Sequence, residues 1–141
     1  MATVNIAYGS SAAITNAIAS LASDTNLLAG YESAILDNTS NKYTDYLVGG
    51  QVTTGTSPTA AKTIEVWAVG ALDDTPTWPD VFDGTTSAET VTSRDILFGF
   101  AKLVASLTTD ATSNRVYYFG PVSLAALFGG SVPKKDRKSV V

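Results

Sequence analysis

The chain has 141 residues, 45% apolar and 16% charged, with a net charge of −4 and neither cysteine nor histidine. That length suits one ordinary domain able to bury a single core. The two missing residue types exclude Cys/His metal sites, imidazole bases, thiol nucleophiles and disulfide scaffolds.

Residues 2–8 (ATVNIAY) alternate polar and apolar, the pattern of a short strand. Gly9-Ser10-Ser11 break it and offer a helix cap. From Ala12 to Ala22, Ile14, Ile18 and Leu21 make one narrow apolar stripe on an expected short helix. This start lacks the basic opening of a signal peptide, and residues 10–23 are only mildly apolar, so neither a secretion signal nor a membrane span is expected.

Tyr31–Leu36 reads as a short strand, and Tyr43–Thr54 as a longer one in which Gly49-Gly50 marks a bulge or bend. The best strand is Lys62–Leu72 (KTIEVWAVGAL). Ile64, Val66, Ala68 and Gly70 face one side; Thr63, Glu65, Trp67, Val69 and Ala71 face the other. Both faces are partly apolar, which predicts a central strand or one covered on both sides. Asp73–Thr90, with Pro76, Pro79 and Gly84, reads as a long loop. Arg94–Leu107 fits either a helix or a strand; Gly99 and the β-rich surroundings favour the strand. Asn114–Leu124 (NRVYYFGPVSL) is a further strand whose Pro121 predicts an edge or a bulge. The Thr/Ser-rich runs at 53–57 and 108–113 read as polar turns between strands. The expected fold is therefore mainly all-β, a jelly-roll-like β-sandwich over residues 1–133 with one short N-terminal helix.

Charge is unevenly placed. Residues 1–133 hold 12 of the 13 acids and five of the nine bases. Residues 134–141 hold Lys134, Lys135, Arg137 and Lys138 against Asp136, and read as a basic C-terminal tail, either solvated or docking on an acidic partner. An acidic body does not favour nucleic acid as a partner.

No constellation advertises catalysis. Asp73, Asp74, Asp80 and Asp83 offer oxygen ligands, but their spacing matches no calcium loop, so they read as solvated loop acids. Ser131-Val132-Pro133-Lys134 matches a Ser-x-x-Lys pattern without its companion motifs, and no phosphate-cradling Gly-x-x-x-x-Gly-Lys loop exists. Asn38-Thr39-Ser40 is a glycosylation sequon, irrelevant without secretion. Thus no catalytic residue, cofactor or metal is expected. Trp67 reads as core. Trp78, between Pro76 and Pro79, is either a packing plug or a contact for a partner or sugar. Tyr117, Tyr118 and Phe119 place rings on both faces of a strand, one for the core and one for an interface. The candidate partner contacts are Trp78, Tyr118, Lys134, Lys135, Arg137 and Lys138.

Several runs carry a resemblance: DTNLLAG (24–30), DNTSNKYTDYLVG (37–49), VTTGTSPTA (52–60), IEVW (64–67), PDVFDGTTSAET (79–90), RVYYFG (115–120) and the Phe128-Gly129-Gly130 that follows. Together they resemble the capsid decoration, or cementing, proteins of tailed bacteriophages, over most of residues 20–133. Many such relatives continue as β-structure beyond the Gly-Gly-x-x-Pro-Lys region, where this chain has DRKSVV (136–141). The resemblance implies a jelly-roll sandwich on the outer surface of the virion, assembled in the bacterial host cytoplasm. It implies a homodimer that bridges neighbouring major capsid proteins, and no catalytic residues. Physically, such a protein works through many copies on one lattice and needs neither His nor Cys. The other reading is a carbohydrate-binding or receptor-recognition module of a tail or fibre, with Trp78 or Tyr118 as a stacking platform.

Overall fold

The computed structural model describes residues 9–14, 18, 21 and 23–140, with 136–140 described as backbone alone. The strand expected at 2–8 lies outside these residues. So does part of the expected helix over 12–22, of which residues 12–14, 18 and 21 are not helical.

The elements run β1 (Ala29–Glu32), β2 (Leu36–Asp37), β3 (Leu47–Thr53), β4 (Thr63–Ala71), β5 (Ala88–Thr90), α1 (Arg94–Phe100), β6 (Ala101–Thr108), β7 (Val116–Ser123), α2 (Leu124–Leu127) and β8 (Lys135–Val140). The chain is mainly β, and every strand pair is antiparallel. One sheet has the order β5-β1-β8-β4-β6, with β2 also paired to β8. The second sheet is the β3–β7 pair.

β4 organises the molecule, and its alternation explains how. Trp67 and Val69 enter one core with Trp78, Phe82, Val91, Leu97 and Ala101. Val66 and Ala68 enter a second core with Val48, Val104 and Leu124, joined by Phe119 and Val122. The period of two in a strand sends successive side chains to opposite faces, so one nine-residue segment supplies both cores. The second core is the layer between the two sheets. The first is closed from outside by the 72–87 loop and α1. This matches the expected central strand with both faces covered.

Arg94–Leu107 divides instead of forming one strand. Ser93 caps α1 by accepting the Ile96 N–H on its hydroxyl at 3.2 Å, and Asp95 lies in the first turn, where negative charge suits the helix dipole. After Phe100 the chain passes straight into β6. Ala88–Thr90, expected as loop, forms the short edge strand β5 on β1.

The segment set apart as a basic tail forms β8, with both edges paired. One edge runs along β4 from Val66↔Val140 to Ala71↔Lys135. The other pairs with β1 and β2. Gly70 makes the approach possible: a Cβ there would collide with the ring of Pro133, the buried residue that leads into β8.

The expected irregularity in the β3–β7 pair is present. The register passes from Val48↔Val122 to Gly50↔Phe119, so Gly120 and Pro121 oppose Gly49 alone. Gly120 has φ +76, and a Cβ there would strike the Val48 carbonyl, so only glycine fits this bulge. The two Thr/Ser-rich turns lie against each other: the Asn114 N–H donates to the Gly55 carbonyl at 3.0 Å, and the Thr109 hydroxyl to the Thr59 carbonyl at 2.8 Å.

Candidate functional site

The acids were the most chemical part of the sequence, and their geometry is mostly structural. Asp24 accepts the N–H groups of Asn26, Leu28 and Ala29 and caps the entry to β1. Asp37 accepts the N–H and hydroxyl of Thr39, with Lys135 alongside at 3.5 Å. Asp45 accepts the N–H groups of Ala125 and Tyr46 and so ties α2 to the start of β3. Asp110 accepts the Thr112 N–H and the Tyr117 hydroxyl and pairs with Arg115. Of the loop acids, Asp80 holds Thr92 through its N–H and hydroxyl, and Asp74 faces Lys134 at 3.4 Å.

These bonds stabilise the ionised form and set a pH dependence. The backbone N–H groups of Asn26, Leu28 and Ala29 hold Asp24 below the usual carboxylate range. Bonds from Thr39, aided by Lys135, do the same for Asp37. At Asp45 burial pushes upward, but donors from Ser123, Ala125 and Tyr46 together outweigh it. At Asp110 the Thr112 N–H leads, helped by Tyr117 and Arg115. A carboxylate depressed in the folded state binds its proton less tightly than in the unfolded chain, where the pKa is about 3.9. Its contribution is therefore complete above about pH 4 to 5 and is lost as pH falls through the lower, folded value. Urea midpoints measured from pH 7 to pH 2 are expected to hold to about pH 5 and then fall. A midpoint that rises on acidification would contradict this.

Among the described residues, Glu32, Asp83 and Glu89 bring carboxylate oxygens within 4.8 Å of one another, close enough to coordinate a cation. Of the loop acids read from the sequence only Asp83 joins them. Their oxygens already accept protein donors. Glu32 takes the N–H groups of Asp83 and Gly84, Asp83 takes the N–H and hydroxyl of Thr85, and Glu89 takes the Ser87 hydroxyl. They act as a brace for the loop before β5. Ser131 and Lys134 share no helix, and Lys134 is turned to Asp74, so the Ser-x-x-Lys match has no catalytic geometry. The sequon Asn38 is buried and accepts the Tyr43 N–H and the Tyr46 hydroxyl, which makes it a loop pin.

Of the two readings of Trp78, packing plug and partner contact, the structure supports the plug and not the contact: it is 9% exposed and packs in the cluster with Trp67. The two prolines around it shape the loop so that its ring plugs the open face of β4. Tyr118 is different. Tyr117 and Phe119 turn inward, Phe119 into the core between the sheets, while Tyr118 is 73% exposed on the outer face of β7.

Leu47 (58% exposed) and Val116 stand on that same outer face, and the sequence reading singled out neither. Tyr118 pairs with Gln51, Val116 with Thr53 and Leu47 with Ser123. Neither β3 nor β7 contains a charged residue. On a chain with net charge −4, this places an uncharged surface with three exposed large apolar side chains on a rigid strand pair. Val116 and Tyr118 stand two residues apart on this face, with Leu47 at its far end, which makes the face a candidate interaction surface. The signal available in the sequence was the alternation of β3, in which Val48 and Val52 point in and Leu47, Gly49, Gln51 and Thr53 point out.

Lys134 and Lys135 come together with Lys42 in a cleft at the opposite end of β8 from Val140. Arg137 and Lys138 occupy positions opposite Val69 and Ala68 of β4. No helix among the described residues is long and apolar enough to cross a membrane. Comparison with known proteins finds no matching family model, no matching curated protein and no matching solved structure.

Proposed function

We propose that this chain is a structural virion protein that binds the outer surface of a phage capsid, bridges major capsid proteins as a homodimer and stabilises the shell. It would do so as a jelly-roll-like sandwich built on the two sheets described above. The observation that carries this reading is the uncharged outer face of β3 and β7, with Leu47, Val116 and Tyr118 exposed on it. Such a face gains by being covered, at roughly 25 cal/mol per Å² of apolar surface. It carries no charge that would lose its hydration on docking. The carboxylates serve as caps and braces, which favours a role in binding over one in catalysis. Weak contacts repeated over a lattice resist its expansion cooperatively.

The test is cosedimentation with capsids of the phage that encodes the chain. Wild type is expected to bind saturably. Tyr118→Glu is expected to lose roughly tenfold or more in affinity, because a buried unpaired carboxylate adds its desolvation penalty to the lost ring contact. Its far-UV circular dichroism should not change. Wild type that fails to bind would overturn the reading. A second reading, a carbohydrate-recognition module, draws on the same exposed Tyr118. Both tryptophans are buried, so the tyrosine resonances must report sugar binding. Tyr118 ring shifts on adding oligosaccharides, with no capsid binding, would favour that module.

A further inference from the structure

The geometry points to a carboxylate-binding cleft formed by Lys42, Lys134 and Lys135, whose ligand is an acidic segment of a protein partner. Taking the capsid surface as that partner rests on the function proposed above.

The cleft encloses about 680 Å³ between the 38–43 loop and the segment entering β8. It gathers three of the nine basic residues of an acidic chain. Its walls are fixed. Buried Asn38 donates through its amide to the Tyr43 carbonyl at 2.9 Å and accepts the Tyr43 N–H at 2.8 Å. The Lys42 N–H donates to the Asn38 carbonyl at 3.0 Å, and the Asn38 N–H to the Lys134 carbonyl at 2.9 Å, which ties the two walls together. Lys42 sits in the left-handed region at φ 52. Pre-ordered walls reduce the entropy lost on binding.

Charge and chemistry select the ligand. Lys134 and Lys135 lie beside Asp74 and Asp37 at 3.4 and 3.5 Å, so the cleft already receives carboxylates at the spacing a partner would use. The Asp74 side chain is exposed and can be displaced; that of Lys135 is only 18% exposed and stays in place. Lys42 has no acidic partner among the described residues. A dianionic phosphate would meet the like charge of Asp37 beside Lys135 more strongly than a carboxylate, which takes the place of Asp74. Tyr43 and Val132 offer apolar surface to the stem of a Glu or Asp side chain. Outside the cleft the acids of the chain outnumber its bases, so its net charge opposes an anionic surface and favours approach through this cleft.

The experiment is a titration of isotopically labelled full-length protein with acetylated hexaglutamate at low salt, followed by nuclear magnetic resonance. Amide shifts are expected at 42, 134 and 135. Lys42→Gln is expected to weaken binding roughly two- to fivefold, and Lys102→Gln, on the exposed face of β6, to leave it unchanged. Shifts spread evenly over all exposed lysines would overturn the site, as would equal displacement by inorganic phosphate or an unaltered affinity in Lys42→Gln. Capsid binding separates the two levels. Peptide binding that depends on Lys42, with capsid affinity that does not, supports the carboxylate site and overturns the capsid as its ligand.

Discussion

Truncation after Pro133 is expected to abolish cooperative folding. β8 is held on both edges, by β4 along six residue pairs and by β1 and β2 on the other side. Removing it divides the larger sheet into β5-β1 and β4-β6. It also leaves the backbone groups on one side of β4 without partners in a region where Val66 to Val69 are almost fully buried. Each buried N–H or C=O left unsatisfied costs about 1–3 kcal/mol, against a total stability of about 5–15 kcal/mol. The shortened protein should show no urea transition and no near-ultraviolet tryptophan signal. A truncated chain with a sigmoidal transition near that of wild type would show that β8 is dispensable. The consequence for function is direct: the cleft lysines must be tested by point substitution, because deletion removes the fold together with the charges.

Trp67→Ala is expected to cost about 3–5 kcal/mol, the range for removing a buried large aromatic side chain. Trp67 is 1% exposed at the centre of the outer core. Its indole N–H donates to Glu65 Oε2 at 3.2 Å, and Phe98 meets its ring edge-on at 4.8 Å between centroids. The substitution leaves a cavity and withdraws a donor from the buried Glu65 carboxylate, which keeps its ion pair to Arg94 at 2.9 Å. It also frees Phe98, already half exposed, from the ring that holds it. Trp67→Phe, which refills most of the space but not the N–H, should cost less than half as much. Tyr118→Ala, on the outer face, should fall within about 0.5 kcal/mol of wild type. Urea denaturation with unchanged slope reads all three. A Trp67→Ala midpoint equal to that of wild type would remove this residue from the centre of the core.

The contrast between these two experiments marks how far the sequence could be read. Lys62–Leu72 announced β4, its central position and the division of its faces, because alternation in a strand is a local property. The β3–β7 bulge was visible too, since glycine and proline restrict the backbone wherever they stand. α1 was missed as a separate element because its apolar run continues without a break into β6. The cap at Ser93 was the available signal. β8 left no local signal: Lys, Asp and Arg are poor strand formers, and nothing in KDRKSV alternates. Its conformation comes from the two strand edges that enclose it.

The candidate site follows the same division. Tyr118 was legible as an outward ring in a run of three aromatics. Val116, two residues before Tyr118, shares its face by strand alternation; Leu47 joined that face only through the register of β3 and β7, and Lys42 joined Lys134 and Lys135 only when Asn38 tied the loop to the last strand. By itself, the sequence determined a mainly β body, the alternation of β4, the absence of His and Cys chemistry, and the uneven charge, because composition and period are properties of neighbouring residues. Tertiary structure alone decided that Trp78 is core, that the basic segment is a paired strand, and which side chains share a surface, because burial and contact depend on residues far apart in the chain.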